Sequence, residues 1–342
     1  MSMVMLGWKA GPEQYDPIDL LNQAIAAEKA GFETINVSDH FHPWDPSGQS
    51  CNTWTWLGAA AARLSGIEIG TGVTCPILRY HPAVIAQSAA TVDRMNQGPV
   101  YLGLGTGEAL NEYSSTGEWP SYDVRQDMMR ESIELIRALW TGREVTFDGN
   151  YYTTRKARLY TGPRRGIPIF ISSLVPESAY FAGYNGDGLV TGGNTPDVLR
   201  EIADNFDDGA RDAGKDPSQM PKQIECFVAY AEDEEAAIRY FKQYWAGTMV
   251  FAMYTQNLYT PEMSAINGAI AGVDTIKSHL CISSDPEEHV KFAQRFIDIG
   301  FDRVCFHCAG PDQIEFIEGY GRDVLPLIRR NRPAAVPASG IA

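Results

Sequence analysis

The chain has 342 residues, 44% of them hydrophobic, which is enough to bury a large core as one big domain or two small ones. Its 28 Lys and Arg residues against 43 Asp and Glu residues give a net charge of −15, which argues against nucleic-acid and anionic-membrane partners. No run approaches the roughly 18 consecutive apolar residues of a membrane helix, and the start MSMVMLGWKAG lacks a signal-peptide layout, so a cytoplasmic protein is expected.

Short apolar runs, each followed by a longer segment with helical spacing, recur along the chain. They predict eight strands, over residues 3–8, 34–39, 67–75, 99–107, 168–173, 188–193, 224–231 and 303–310. Alternating strands and helices imply parallel pairing, and eight such units favour an α/β protein with a closed (β/α)8 TIM barrel and inserted loops. A doubly wound open sheet is the main alternative.

Two segments interrupt this rhythm. Residues 144–160 alternate around an Asp-Gly turn signal at 148–149 like a small hairpin, and residues 246–285 have no clear periodicity. Both are interpreted as insertions into a single barrel domain over residues 1–332. A C-terminal tail over residues 333–342 is expected to be a loose terminus.

Reactive side chains follow three of the predicted strands. They are Asp39, His40, His42 and Trp44 after the second strand, Cys75, Arg79 and His81 after the third, and Glu108, Asn111 and Glu112 after the fourth. Active sites of (β/α)8 barrels lie at the carboxyl ends of the strands, so these residues are expected to converge on one face. A histidine that caps a carbonyl or an acid at a helix start is also common without any function. The prediction therefore depends on the convergence.

Other patterns fit specific chemistry less well. The six cysteines are too sparse for a disulfide framework and are expected to be reduced. The spacing of Cys305 and Cys308 is that of half a zinc site without a second half, so buried strand residues are expected there, and no metal site is predicted. The glycines of GLGTGE lack the G-x-G-x-x-G spacing of dinucleotide sites, and the absence of G-x-S-x-G disfavours acyl transfer.

Several long motifs resemble the deazaflavin-dependent branch of the luciferase-like barrel superfamily. They are, in chain order, VSDHFHPW, GTGVTCPILRYHPAVIAQ, LGLGTGEALNE, FDGNYY and SSDPEE. That branch includes the coenzyme F420-dependent glucose-6-phosphate dehydrogenases and secondary-alcohol dehydrogenases, and DHFHPW, CPILRYHPA and TGEWPSYDVRQDM are most similar to the alcohol dehydrogenases. The resemblance implies coenzyme F420 as the cofactor, with FMN as the alternative, and a homodimer.

The resemblance also implies roles for individual residues. His40 would take the hydroxyl proton of the substrate, and Glu108 and Trp44 would complete the catalytic group, although which of His40 and Glu108 is the essential base stays open. Cofactor contacts are implied for Asp39, Gly72, Val73, Cys75, Gly107, Asn111, Ser172, Ser173 and Pro176. The peptide between Gly72 and Val73 is expected to be cis. An apolar substrate pocket is implied at Val228, Phe251 and Met253.

Two departures from the family concern phosphate groups. Relatives place a glycine before the proline that opens the helix after the fifth strand, where this chain has Leu174 and Val175. The cations that hold a sugar phosphate in relatives align with Asn194, an uncharged position within residues 254–258, and Ser278.

With Lys277 alone nearby, a phosphate clamp is not expected. The implied activity is hydride transfer between a small neutral secondary alcohol and F420. An F420-dependent sugar or sugar-6-phosphate dehydrogenase and a flavin-dependent luciferase-like monooxygenase are the alternatives.

Overall fold

Parallel strands form a closed sheet in this computed structural model, which describes residues 4–249 and 257–330. Within that part of the chain the strands are β1 (Met5–Ala10), β2 (Thr34–Val37), β3 (Glu68–Thr71), β4 (Val100–Leu104), β5 (Val145–Asp148), β6 (Thr153–Ala157), β7 (Ile169–Ser172), β8 (Gly188–Gly192), β9 (Lys222–Tyr230), β10 (Leu280–Ser283) and β11 (Arg303–Cys308).

The barrel closes through β9. The sheet has the order β10-β9-β11-β1-β2-β3-β4-β7-β8, and β8 also pairs with β9. Because β9 is nine residues long, its first residues pair with β8 and its last residues, Phe227 to Tyr230, pair with β10. β5 and β6 form a separate antiparallel hairpin. The eight predicted barrel strands, the hairpin and the (β/α)8 fold are confirmed.

Helices connect the strands and cover the barrel. They are α1 (Pro17–Ala30), α2 (Thr53–Arg63), α3 (Pro82–Met95), α4 (Ala109–Thr116), α5 (Tyr122–Trp140), α6 (Pro176–Asn185), α7 (Pro196–Asp212), α8 (Glu234–Tyr244), α9 (Pro261–Ile270), α10 (Val273–His279), α11 (Pro286–Ile299), α12 (Gln313–Gly319) and α13 (Leu325–Arg330). Several begin with proline after a capping side chain, as where Asp16 accepts a hydrogen bond from the Ile18 amide. No helix in the described ranges is long and apolar enough to cross a membrane.

In the segment without clear periodicity, residues 246–285, the described residues form a 3-10 turn (Ala246–Met249), two short α-helices and a strand. α9 has ten residues, α10 has seven and β10 has four. Elements this short give little periodic signal, which explains why the sequence did not reveal them. β10 extends the sheet beside β9, above the point where β8 ends.

The two ends of the barrel interior differ in character. At the amino end Tyr101 stacks on Phe170 with ring centroids 4.8 Å apart. The Arg303 guanidinium lies over both rings and forms an ion pair with Glu68. Towards the carboxyl end the interior side chains become charged, beginning with Lys9 on β1. The packed amino end stabilises the barrel and leaves the carboxyl end for chemistry.

Candidate active site

His40 lies on the loop after β2, and its side chain is 13% exposed. Its Nδ1 is 3.2 Å from the carbonyl oxygen of His42. A carbonyl oxygen only accepts, so Nδ1 carries a proton and Nε2 has a free lone pair when the ring is neutral. Burial lowers the pKa of His40, and the nearby Glu108 carboxylate opposes that shift. The ring is therefore oriented as a base at Nε2.

Two carboxyl groups face Nε2 of His40. Glu108 Oε2 is 3.5 Å away and Glu13 Oε1 is 3.7 Å away. Burial raises the pKa of Glu13, and burial together with neighbouring carboxylates raises the pKa of Glu108. The three side chains are close enough to titrate as a coupled group, which we call the proton cluster. Such a group can take up one proton and share it among its members.

Glu13 is the member of the proton cluster that the sequence reasoning missed. It follows β1, is 2% exposed, and its Oε2 has no hydrogen-bond partner among the described residues. A buried oxygen without a partner is costly, so this atom is available to a substrate hydroxyl or a water molecule. The rule that reactive residues follow barrel strands, applied to β1 as it was to β2, would have found it.

Asn111 joins the loops that carry His40 and Glu108. Its Oδ1 accepts hydrogen bonds from the Phe41 amide at 2.8 Å and the His42 amide at 3.1 Å, and its Nδ2 donates to Glu108 Oε2 at 3.2 Å. The side chain thereby fixes the spacing within the proton cluster. The contact between Asn111 and the cofactor ring that the resemblance implies stays a prediction.

Asp39 is tied into a second buried charge group. Its carboxylate accepts from Thr74 Oγ1 and lies 3.2 Å from Arg79 Nη2, and Arg79 Nε lies 3.6 Å from Glu112 Oε1. The Arg79 amide also donates to Glu112 at 3.0 Å. One guanidinium therefore joins the loops after β2, β3 and β4 behind the proton cluster.

Trp44 forms an apolar wall beside His40. The two ring centroids are 5.3 Å apart with a tilt of 51°, and Trp44 is 6% exposed. It belongs to a cluster of buried apolar residues outside the main core, in which Leu110, Phe241 and Trp245 also take part. Placing apolar surface next to the proton cluster strengthens the electrostatic interactions there.

The loops after β3 and β4 meet closely beside this site. The peptide between Gly72 and Val73 is cis, as predicted, and Val73 packs against Tyr101, Phe170 and Val190. Gly107 has φ +79°, and a Cβ there would lie 2.7 Å from Cys75 Sγ, so only glycine fits. The structure thus brings together four of the residues predicted to contact the cofactor.

The remaining predicted cofactor residues lie where β7 gives way to α6. Ser172 ends β7, and Ser173 Oγ is 2.8 Å from the Val175 carbonyl oxygen. α6 begins at Pro176, and its N-terminus has no side-chain cap within the described ranges. The free amides of its first turn suit an anionic group. The start of α6 therefore fits the phosphate group of the cofactor that the resemblance implies.

The predicted substrate pocket is corrected at Val228. This residue is fully buried in the main core, on the helix-facing side of β9, because side chains alternate along a strand and its neighbour Phe227 faces the interior. An error of one position in the alignment moves a side chain to the opposite face. The other two predicted pocket residues, Phe251 and Met253, lie outside the described residues.

Three more interior residues escaped the sequence analysis. Lys9 on β1, Glu225 on β9 and His307 on β11 form a linked group below the proton cluster. His307 lies between Cys305 and Cys308 on β11, and both cysteines are buried strand residues, as expected. None of the six cysteines, all of which are described, forms a disulfide bond. Within the described residues, no three His, Cys, Asp or Glu side chains are arranged to hold a metal ion.

Comparison with known families agrees with this geometry. The sequence model of the family described as luciferase-like monooxygenase matches residues 3–303. The chain belongs to the luciferase-like monooxygenase family. The resemblance inferred from the motifs and the luciferase-like (β/α)8 barrel that it implies are therefore confirmed.

Several similar proteins are named as F420-dependent enzymes. The chain is 37% identical to the F420-dependent glucose-6-phosphate dehydrogenase of Microbacterium testaceum, over 95% of this chain and 97% of that protein. It is 39% identical to a solved F420-dependent secondary alcohol dehydrogenase in complex with an F420-acetone adduct, with a TM-score of 0.92 over 96% and 99% of the two chains. The F420-dependent tetrahydromethanopterin reductase from Methanopyrus kandleri, 22% identical with a TM-score of 0.79, shares the fold.

Proposed function

We propose that this protein is a coenzyme F420-dependent dehydrogenase that interconverts a small neutral secondary alcohol and its ketone. The observation that carries the proposal is the free Nε2 of His40 facing two carboxyl groups, that of partly buried Glu108 at 3.5 Å and that of buried Glu13 at 3.7 Å. Relatives at 37% and 39% identity use F420, and both act on alcohol groups. F420 supplies the hydride acceptor when it is bound.

The protein's own task is to position the alcohol and move one proton. An alcohol releases hydride readily only as its hydroxyl loses a proton, so a base is needed at the hydroxyl oxygen. His40 Nε2 accepts that proton, while the bond from Nδ1 to the His42 carbonyl holds the ring in place and stabilises the imidazolium. Glu13 and Glu108 offset the new positive charge and provide the next site for the proton.

The positions that align with the phosphate-binding cations of relatives favour a neutral substrate over a sugar phosphate. Lys277 Nζ lies 2.5 Å from Glu234 Oε1, so its charge is already paired. The sequence contains no Lys, Arg or His from residue 243 to 276, and Asn194 and Ser278 are uncharged. A phosphate dianion needs several cations to offset its desolvation. The carboxylates of the proton cluster add repulsion for such a ligand.

The substrate preference can be tested with a pair of alcohols. Mixed with oxidised F420, the protein is expected to bleach cofactor fluorescence with isopropanol at a kcat/KM at least about 100-fold above that with glucose 6-phosphate. Lys277→Ala should leave the isopropanol rate unchanged, because that ammonium is bound to Glu234. Preferred turnover of glucose 6-phosphate, lost in Lys277→Ala, would instead establish a phosphate-binding site.

The pH profile tests the coupling between Glu108 and His40. In Glu108→Gln the acid limb of kcat/KM for alcohol oxidation is expected to move to lower pH. The Glu108 carboxylate raises the pKa of His40 against the effect of burial, so removing its charge lets the neutral base persist in more acid solution. Exposed Glu118, changed to Gln, is the matched control. A limb that moved to higher pH would contradict the assignment of His40 as the titrating base.

A further inference from the structure

Lys9 places a fully satisfied ammonium inside the barrel. Its Nζ lies 2.6 Å from Glu225 Oε2, 2.7 Å from the Gly72 carbonyl oxygen and 3.5 Å from Asn36 Oδ1. The side chain is 3% exposed. An ammonium has three donors, and each is directed at one of these acceptors. The group is therefore held in one position.

Glu225 is held from its other side by His307. Nδ1 of His307 donates to Glu225 Oε1 at 3.0 Å, and the His307 ring packs between Phe227 and Trp245 with centroid distances of 4.6 and 4.1 Å. Burial disfavours the charged carboxylate, but Lys9 and His307 more than offset this and hold the pKa of Glu225 at about 2. Glu225 therefore stays ionised at neutral pH.

The location of the Lys9–Glu225 ion pair indicates a role other than stabilising the fold. Buried ion pairs seldom stabilise a fold more than apolar side chains of the same size would. This pair lies next to the predicted cofactor contacts, because Lys9 donates to the carbonyl oxygen of Gly72, the residue before Val73. Val73 is itself closely packed against the loop after β4, since a Cβ at Gly105 would lie 2.7 Å from it. The Lys9 charge also acts on all three members of the proton cluster.

We propose that Lys9 is a positioning residue for the reaction, fixing the Gly72–Val73 peptide against which the cofactor is expected to rest and setting the field at the proton cluster. The role rests on the proposed F420-dependent function. Lys9 acts through the Gly72 carbonyl and through its charge. Glu225 and His307 serve to hold the ammonium at that carbonyl.

The test removes both charges together. Lys9→Met alone would leave the Glu225 carboxylate buried without a cation and risks unfolding, so the informative variant is Lys9→Met/Glu225→Gln. Its melting temperature should stay within a few degrees of wild type. The Kd for oxidised F420, measured by quenching of tryptophan fluorescence, should rise about tenfold, and kcat should fall by a similar or larger factor.

Two variants serve as controls. Glu225→Gln keeps the bond from Lys9 to the Gly72 carbonyl and should raise the Kd for F420 by no more than about threefold. Lys215→Met removes a lysine that also donates to three carbonyl groups, those of Gly183, Tyr184 and Gly186, remote from the site. It should leave F420 affinity unchanged and cost only stability.

Two outcomes would overturn the role of Lys9. A double variant with F420 affinity and kcat within twofold of wild type would mean that Lys9 only balances the Glu225 charge. A double variant that fails to fold would make the pair a structural element. Because F420 affinity is measured without turnover, it decides the role of Lys9 even if isopropanol proves not to be a substrate.

Discussion

His40→Ala is expected to lower kcat for isopropanol oxidation at least about 1,000-fold while changing the Kd for F420 less than about threefold. General base catalysis contributes roughly 100- to 10,000-fold, and His40 is the proposed base because its free nitrogen faces two carboxyl groups. Its other ring nitrogen is bound to the loop itself, so its removal should disturb proton transfer more than cofactor binding. Steady-state kinetics and fluorescence titration measure the two quantities separately.

His81→Asn is the matched control for this variant. His81 is exposed, and its Nδ1 caps α3 by accepting from the Ala83 amide, a role that asparagine can also fill. Activity in the control should match wild type. If His40→Ala kept more than a tenth of the wild-type kcat, one of the carboxyl groups would be the base. If the main loss were in F420 affinity, His40 would be a cofactor contact.

Arg79→Met is expected to lower the free energy of unfolding by about 3–5 kcal/mol. The guanidinium is the partner of two buried carboxylates, Asp39 at 3.2 Å and Glu112 at 3.6 Å. Burial raises the pKa of Glu112, and Arg79 opposes this shift, so removing the cation leaves a carboxylate that is costly to keep ionised. Urea denaturation followed by circular dichroism measures the loss.

Arg130→Met provides the comparison for a surface pair. Arg130 lies 2.6 Å from Asp127 one helical turn earlier, and both side chains are about half exposed. Its loss should cost less than about 1 kcal/mol. A loss below about 1 kcal/mol in Arg79→Met as well would contradict the view that this guanidinium holds the three loops together.

The fold was predictable because its signals are repeated and local. Each barrel strand is an apolar run between helical segments, and buried parallel strands give such runs whichever face points inward. Shorter elements gave no comparable signal. The helices α9 and α10 and the strand β10 are set by contacts with the rest of the barrel, beside β9 and α8, more than by their own periodicity.

The site was predictable only in part. His40 and Glu108 follow barrel strands, where active-site residues of (β/α)8 barrels lie, and both side chains can transfer protons, so the sequence identified them as site residues. Lys9, Glu225 and His307 lie within apolar runs, where one polar residue looks like an irregularity. Their common signal is that a charged or imidazole side chain in a barrel strand must face the interior or pair with another charge. A homodimer and a cytoplasmic location stay predictions.

The most direct test of the central claim follows the hydrogen on the carbinol carbon. The protein is mixed with oxidised F420 and isopropanol deuterated at that carbon, and the reduced coenzyme is analysed by mass spectrometry. Transfer of one deuterium to the coenzyme in the wild-type protein, at a rate at least about 1,000-fold lower in His40→Ala, is the predicted result. Reduction without deuterium in the coenzyme, or no reduction although F420 binds, would contradict the assignment as an alcohol dehydrogenase.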